Sequence, residues 1–427
     1  MSDPMSRRSL LGGALAGGVV VATGGLPLAG MPSARAASAS DTRLRFMTWN
    51  IQSGVALDNP NVVDLPRIAA VIRAESPDIV VLNEVHRDPD GPGSHGDQPA
   101  GLAALLAADG YRYMRVGLTE SDMAHGGAEL AGSTNNNVIL SRHPFVGAAE
   151  VVKLPNENYE PGGKDRRSLL TSTVNVRGVG EIRVHVTHLS TPGSAVLVED
   201  QKEQVRIVLE QVDSAVPAVL AGDFNIRVTD VTEQAFSQNN LMQSWIAERD
   251  LADSWRQVND SRAGTTQTTS YGRPGYPHED RRIDYVYTSP WLEAVGGHVS
   301  LVDRNASDHL AVVMDLRLVD TNHLTAKSVL AGEAGLDGWA QLSATNKGEV
   351  RLSVCKNRGT TQDDGTTVRA TLRTPSGRVV RTVVDGGTSR DRATIATWRG
   401  HLARPSTLEV SLVRGDTVLH SRVERIG

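Results

Sequence analysis

The chain's 427 residues are enough for two domains, and 39% hydrophobic with 22% charged residues is the composition of an ordinary soluble globular protein. One cysteine, Cys355, excludes an intrachain disulfide, so stability rests on packing or on a metal. The net charge of −5 is uneven: residues 326–427 hold 16 Lys+Arg against 10 Asp+Glu, residues 1–36 hold 3 against 1, and −13 is left on residues 37–325. An acidic middle and a basic end suggest two units with different partners.

Residues 1–36 read as a processing segment. Ser6-Arg7-Arg8-Ser9-Leu10-Leu11 opens a Gly/Ala-rich apolar run to Leu28, and Ala34-Arg35-Ala36 fits a small-x-small cleavage site. The adjacent arginines resemble a twin-arginine export signal. Gly24-Gly25 and Pro27 make the run a poor membrane span. The expectation is a mature chain from about Ala37, secreted by a bacterium, with no stable membrane insertion once the signal is removed.

Residues 44–51 alternate as a strand ending on Asn50. Val63 to Glu75 has helical spacing, with Leu65, Ile68, Val71 and Ile72 on one face. Ile79-Val80-Val81-Leu82 is a buried strand ending at Asn83-Glu84. An unpaired carboxylate at that core boundary is costly, so Glu84 should face a cation or a donor. Gly91–Pro99 reads as loop, residues 101–108 as helix and Tyr111–Val116 as strand. Ser121–Asn137 reads as a polar rim loop, and Val138–Leu140 as strand. His143, before a proline, reads as structural. Gly162–Arg167 is a basic loop feeding a strand over Ser168–Val176, and its guanidinium suits a phosphate. Residues 182–189 alternate as a strand with His188 at its end; Val198–Val212 is a helix. Ala215–Leu220 is a buried strand that stops at Gly222-Asp223-Phe224-Asn225, placing a carboxylate and a carboxamide at a carboxyl end. Trp245 and Trp255 read as packing residues, and Thr265–Pro277 as a second rim loop. Residues 281–287 form a strand with Asp284 near its start, and Asp308-His309 stand before a strand over 311–316.

Beyond Thr321–Asp337, read as a linker with a short helical piece, come six alternating segments: 350–354, 368–372, 379–384, 393–398, 408–413 and 418–423. Turn residues separate them, which predicts a β-sandwich over 338–427. Its +6 charge suits an anionic polymer, nucleic acid or teichoic acid; a purely structural appendage is the alternative.

Seven strand ends thus carry Asn50, Glu84, Arg167, His188, Asp223 with Asn225, Asp284, and Asp308 with His309. Carboxylates with amides suit Mg²⁺ or Ca²⁺, and histidines beside carboxylates suit acid–base pairs. No Cys cluster or His-Glu-x-x-His points to zinc.

The ordered set Trp49-Asn50, Asn83-Glu84, Thr187-His188-Leu189-Ser190, Gly222-Asp223-Phe224-Asn225, Arg282-Ile283-Asp284-Tyr285 and Ser307-Asp308-His309 resembles the endonuclease/exonuclease/phosphatase family, across residues 44–317. The resemblance implies an α/β fold, a four-layer sandwich of two packed sheets flanked by helices over 37–320, and metal-dependent phosphoester hydrolysis. It implies Glu84 as main Mg²⁺ ligand (Ca²⁺ or Mn²⁺ being alternatives), Asn50 beside it, and Asp308 at a second metal position. His309 would pair with Asp284. Asp223 would orient or deprotonate the attacking water, and Asn225 would bind a non-bridging oxygen. His188 would serve as acid or phosphate donor, and Arg167, with Arg166 the alternative, would sit near the scissile phosphate. The abasic-site branch has tyrosine where His188 stands, which with export argues against abasic repair. The glutamate that partners this histidine in pancreatic-type deoxyribonucleases has no match; Asn135–Asn137 stand near its place. The expected function is a secreted Mg²⁺-dependent nuclease. The alternatives are a phosphatase or sphingomyelinase-like phospholipase of the same fold, and a non-catalytic binding protein.

Overall fold

The computed structural model describes residues 43–88, 96–117, 134–155, 167–191, 195–226, 242–243, 245–246, 248–259, 282–318, 324–332, 335–344, 349–356, 365–386, 394–400, 402 and 405–426. All of them fall in one compact unit, Ala39–Gly427. Among the described residues the N-terminal region contains fourteen strands: β1 Arg43–Asn50, β2 Val55–Ala56, β3 Asn59–Val63, β4 Ile79–Arg87, β5 Tyr113–Gly117, β6 Thr134–Ser141, β7 Phe145–Leu154, β8 Arg167–Val176, β9 Gly180–His188, β10 Ala218–Asp223, β11 Ala252–Asp253, β12 Asp284–Thr288, β13 Leu292–Val299 and β14 Val312–Leu318. Its described helices are α1 Leu65–Glu75, α2 Gln98–Leu106, α3 Ala195–Gln211 and α4 Ser254–Val258.

Two six-stranded sheets result, β13-β14-β1-β4-β6-β5 and β11-β12-β10-β9-β8-β7. They meet on apolar faces: Leu44, Phe46, Ile79 and Val81 from the first pack on Leu170, Val184, Val219 and Val286 from the second. The alternate residues point outward. Met47, Trp49, Val80 and Leu82 pack on Ile68 and Ile72 of α1 and on Leu102 and Leu106 of α2. Leu220, Tyr285 and Tyr287 pack with Val205, Val208 and Leu209 of α3. This is why the central strands read as unbroken apolar runs: both faces are buried, in the expected four layers. Among the described residues no helix is long and apolar enough to cross a membrane.

At the centre of each sheet one pair runs parallel and ends level. Asn50 lies opposite Asn83 on β1 and β4, and His188 lies opposite Asp223 on β9 and β10. Asp284, opening β12, lies opposite Asp223 on its other side. Four parallel strand ends therefore meet at one edge of the sandwich.

The C-terminal region is a pair of antiparallel four-stranded sheets. β15 Leu324–Gly332, β16 Gly335–Ala344, β17 Glu349–Lys356 and β20 Thr394–Arg399 form one; β19 Val379–Asp385, β18 Thr366–Arg373, β21 Ser406–Arg414 and β22 Thr417–Ile426 form the other. Leu342, Leu352 and Val354 pack on Val368, Leu372 and Val410 between them. Gln257 Nε2 donates to Gln341 Oε1 at 3.4 Å and Arg351 lies 3.7 Å from Glu293, so β16 and β17 touch the N-terminal region.

The structure corrects three readings. Residues 324–332 and 335–337, expected within a linker that held a helical piece, belong to the hairpin β15–β16, Leu324–Ala344. Small residues hide its alternation; Gly338 is small because an added Cβ would lie 2.5 Å from the Cys355 carbonyl. Asn135–Asn137, expected in a loop, extend β6, where Asn136 and Asn137 are buried and hydrogen-bonded. β7 and β13, which no alternation announced, are sheet-edge strands with a register shift beside Gly147 and Gly296 respectively. Residues 1–36, the loop segments 91–95, 121–133, 156–166 and 265–280, and Arg166 lie outside the described residues.

Candidate active site

The strand ends bring Asn50, Glu84, Arg167, His188, Asp223, Asn225, Asp284, Asp308 and His309 together. Glu84 interrupts β4: its φ is +54°, and the pairing with β6 shifts between Leu82 and Val85. A left-handed non-glycine residue costs about 1–2 kcal/mol, and here it swings the carboxylate out of the ladder toward the neighbouring strand ends. Asn50 Nδ2 donates to Glu84 Oε1 at 2.8 Å and to Asp223 Oδ2 at 3.1 Å, tying the sheets together. Its Oδ1 accepts the Gln52 N–H at 3.0 Å. That bond occupies one of the two lone pairs of the oxygen expected to ligate, while Nδ2 bridges two carboxylates. Burial and then the Asp308 carboxylate push the Glu84 carboxyl above the usual range.

The two histidines are held by opposite partners. His309 Nδ1 lies 2.8 Å from Asp284 Oδ2, and its Nε2 lies 3.7 Å from Asp223 Oδ2. Burial works against its charge, yet Asp284, then Asp223 and Asp308, raise it well above the ordinary value. These carboxylates favour its imidazolium form. His188 Nδ1 lies 2.8 Å from Arg167 Nη1, and its Nε2 lies 3.5 Å from Asp223 Oδ2. A guanidinium only donates, so Nδ1 accepts and the proton of the neutral ring sits on Nε2. Burial and then the Arg167 charge hold His188 well below its ordinary value.

Asp223 stands between them, almost fully buried. Its Oδ1 accepts the Asn225 N–H at 2.9 Å. Burial and then Asp284 raise it to about 7, against the lowering effect of His309, Asn50 and the Asn225 N–H. Asn225 itself is left-handed, φ +52°, and its Nδ2 donates to the Leu189 carbonyl at 3.0 Å. Among the described residues Asp223, Asp284 and His309 offer one donor atom each within 4.8 Å of one another, a set that could hold a metal ion.

Some supporting residues escaped the reading of strand ends. Gln52 Oε1 accepts the Asp308 N–H at 3.2 Å, Ser307 Oγ donates to the Asn50 carbonyl at 2.7 Å, and Trp49 Nε1 donates to the His309 carbonyl at 2.8 Å. Asn83 Oδ1 accepts the Asp223 N–H at 2.9 Å. The signal for Asn83 was available: an amide directly before Glu84, closing a wholly apolar run. His143, away from this edge, makes the structural contact expected of it, accepting the Arg177 N–H at 3.4 Å.

Comparison with known proteins gives two family matches. The model described as Endonuclease/Exonuclease/phosphatase family matches residues 47–309, and the ig-like domain of that family matches residues 322–425. Among solved structures, an endonuclease/exonuclease/phosphatase from Beutenbergia cavernae is 67% identical, over 90% of this chain and 99% of its own, with a TM-score of 0.81. A family protein from Leptotrichia buccalis is 17% identical over 64% of this chain and 99% of its own, TM-score 0.48. One from Bacteroides vulgatus is 19% identical over 65% and 100%, TM-score 0.46. No curated protein matches the chain.

Proposed function

The chain belongs to the endonuclease/exonuclease/phosphatase family, whose members hydrolyse phosphoesters, and on that premise we propose that it is a divalent-metal-dependent phosphodiesterase, exported from a bacterial cell, that cleaves extracellular nucleic acid. The observation that carries the reading is Asp223 set between His309, held by Asp284, and His188, held by Arg167.

The chain's own residues divide the work. Asp223, raised to about 7, is poised to take the proton of a water attacking phosphorus in line. His309, oriented by Asp284, places a charged donor where negative charge grows on the phosphoryl oxygens. His188 offers Nε2–H as a neutral donor, with Arg167 fixing its tautomer and adding charge beside the phosphate. Its lowered basicity favours the role of phosphate donor over that of acid for the leaving group. The second proton of Asn225 Nδ2 suits a non-bridging oxygen.

Glu84 and Asp308 fit a hard divalent ion: the Asp308 carboxylate helps to raise Glu84, and a strained backbone aims Glu84 at the strand ends. Mg²⁺, or Ca²⁺ or Mn²⁺ in its place, would offset charge on the phosphoryl oxygens when bound. Asp223, Asp284 and His309 are assigned to proton chemistry because His309 Nδ1 is engaged by Asp284. The +6 of residues 326–427 supports an auxiliary contact with the polyanion.

The test uses the protein from Ala37 with plasmid DNA, RNA, sphingomyelin and phosphomonoesters, with and without EDTA. The expected result is metal-dependent nicking that His309→Ala abolishes. Release of phosphate or phosphocholine with nucleic acid left intact would move the assignment to a phosphatase or phospholipase. Biological activity unchanged by Glu84→Gln would make it a binding protein.

A further inference from the structure

Glu84 and Asp308 stand at the edge of the first sheet, Asp223 and His188 at the edge of the second. In-line chemistry needs the two sets at a fixed separation, because a misplacement of about 1 Å can cost about a hundredfold in rate. Most of the interface between the sheets is aliphatic and sets no register to that tolerance. At its active end, however, it contains a fully bonded amide pair. Asn83 on β4 donates from Nδ2 to the Thr187 carbonyl at 3.1 Å and to Asn137 Oδ1 at 2.7 Å. Its Oδ1 accepts the backbone N–H of Asp223 at 2.9 Å. Asn137 on β6 in turn donates to the Ser168 carbonyl at 2.9 Å. All five residues are buried.

Three features make this more than a satisfied core amide. Both Nδ2 protons and the oxygen of Asn83 are used, and two of the three bonds cross to the other sheet. One of those bonds is to the backbone of the residue assigned as base, and the next residue in the chain is Glu84. Finally, Gly222 clears the way: its φ is +135°, and an added Cβ would stand 1.9 Å from the Thr187 carbonyl oxygen and 3.2 Å from Asn83 Oδ1. We propose that Asn83, backed by Asn137, is a positioning residue that fixes the backbone under the Asn50 side-chain bridge and so holds Glu84 on one sheet at its working distance from Asp223 on the other. The proposal rests on the phosphodiesterase reading for its catalytic consequence, but not for its structural one.

The experiment compares Asn83→Ala and Asn137→Ala with Val184→Ala, a core variant that thins the same interface without touching the clamp. Hydrogen–deuterium exchange is read over residues 219–226, with steady-state kinetics in parallel and temperatures chosen to match each variant's distance from its Tm. Asn83→Ala should lose about a hundredfold in kcat with KM changed by less than about threefold, and Asn137→Ala about tenfold. The Asp223 amide should exchange about tenfold faster in both and stay protected in Val184→Ala. If Asn83→Ala does not fold, Asn137→Ala decides the question alone. Exchange and kcat no worse than in the matched Val184→Ala would overturn the proposal. If the wild type hydrolyses no phosphoester, the functional reading falls, and protection of the Asp223 amide still decides whether the clamp exists.

Discussion

Both regions of the chain are pairs of sheets around an aliphatic core, yet the chemistry gathers in only one. The difference lies in strand direction. In the N-terminal sandwich the parallel pairs β1–β4 and β9–β10 finish level, so Asn50, Asn83, His188 and Asp223 arrive at one edge. In the C-terminal sandwich every pairing among the described strands is antiparallel, so neighbouring strand ends point in opposite directions. The outer faces differ too. Helices cover those of the N-terminal sandwich, whereas Val379, Val384, Val418, Leu419 and Val423 stand exposed on β19 and β22. A sandwich that concentrates parallel ends makes a site; one that alternates them makes a surface.

The largest effects should fall on the edge where those ends meet. His309→Ala removes the charged donor and should lower kcat by about 10³-fold on a nucleic-acid substrate. Asp284→Asn, which leaves His309 without the carboxylate that sustains its charge, should approach that loss. More than a tenth of wild-type kcat in His309→Ala would break the contrast between the two sandwiches. Arg167→Met frees His188 Nδ1 and removes a cation at the phosphate, and should cost about 10²-fold. Arg167→Lys should recover only a fraction of it, because a lysine keeps the charge but not the fork. Equal activity of the lysine and wild-type proteins would sink the tautomer argument.

Metal and acid responses sharpen the same contrast. The raised Glu84 carboxyl keeps its proton to higher pH than a free glutamate, and a bound cation has to displace it. Mg²⁺ at a hundredfold excess over its pH 8 Kd should therefore add about 2.7 kcal/mol of stability at pH 8 and less at pH 5, read as a larger rise in Tm at pH 8, and EDTA should remove the gain. An equal rise at both pH values would remove Glu84 from the ligand set. His185, buried on β9 with Nδ1 2.8 Å from Thr171 Oγ1, is lowered to about 3, by burial first and then by Arg183. Between about 6.5 and 3 the unfolded chain binds the proton and the folded chain does not, so stability falls as pH falls through that window. By pH 4.5 the loss should reach about 2.5 kcal/mol. His185→Leu should flatten the acid limb of Tm against pH; an unchanged limb would assign acid sensitivity elsewhere.

How much of this the sequence announced depends on what each residue answers to. The central strands were legible because burial on two faces leaves one kind of signal, as in Ile79–Leu82. Glu84, Asp223 and His309 were legible because a charged group directly beside such a run needs a partner. The edge strands β7 and β13 were hidden by glycines at their register shifts, and the β15–β16 hairpin by small residues. The hydrogen bonds of the Asn50 amide, with Nδ2 on Glu84 and Asp223 and Oδ1 on the Gln52 N–H, were not legible in the sequence. Which atom of an amide faces a site is set by its neighbours' hydrogen bonds, and no one-dimensional pattern carries that. The Arg167–His188 pair joins residues 21 apart through the pairing of β8 with β9 and was equally out of reach.

The smallest expected effect tests the C-terminal sandwich. With Val368, Ala370 and Leu372 of β18 in the core, alternation puts Arg369 and Arg373 on the outer face of that sheet. Arg373 lies across from Thr407, and Thr407 across from Arg425, so two guanidiniums flank one threonine. Glu409, 3.5 Å from Arg373, offsets some of that charge, so the face should attract a polyanion only weakly. Replacing Arg369, Arg373 and Arg425 together by glutamine should leave kcat on a short oligonucleotide within about twofold, because none of them lies among the gathered strand ends. On long duplex DNA it should raise KM and lower the slope of log KM against log salt by about 0.9 for each phosphate no longer neutralised. An unchanged slope would make the C-terminal sandwich a structural companion of the other, and its +6 charge a solvated surface. A fall in kcat on the short substrate would carry a different meaning: the bond between Gln341 and Gln257 and the approach of Arg351 to Glu293 would then transmit strain to the site, and the two sandwiches would work as one.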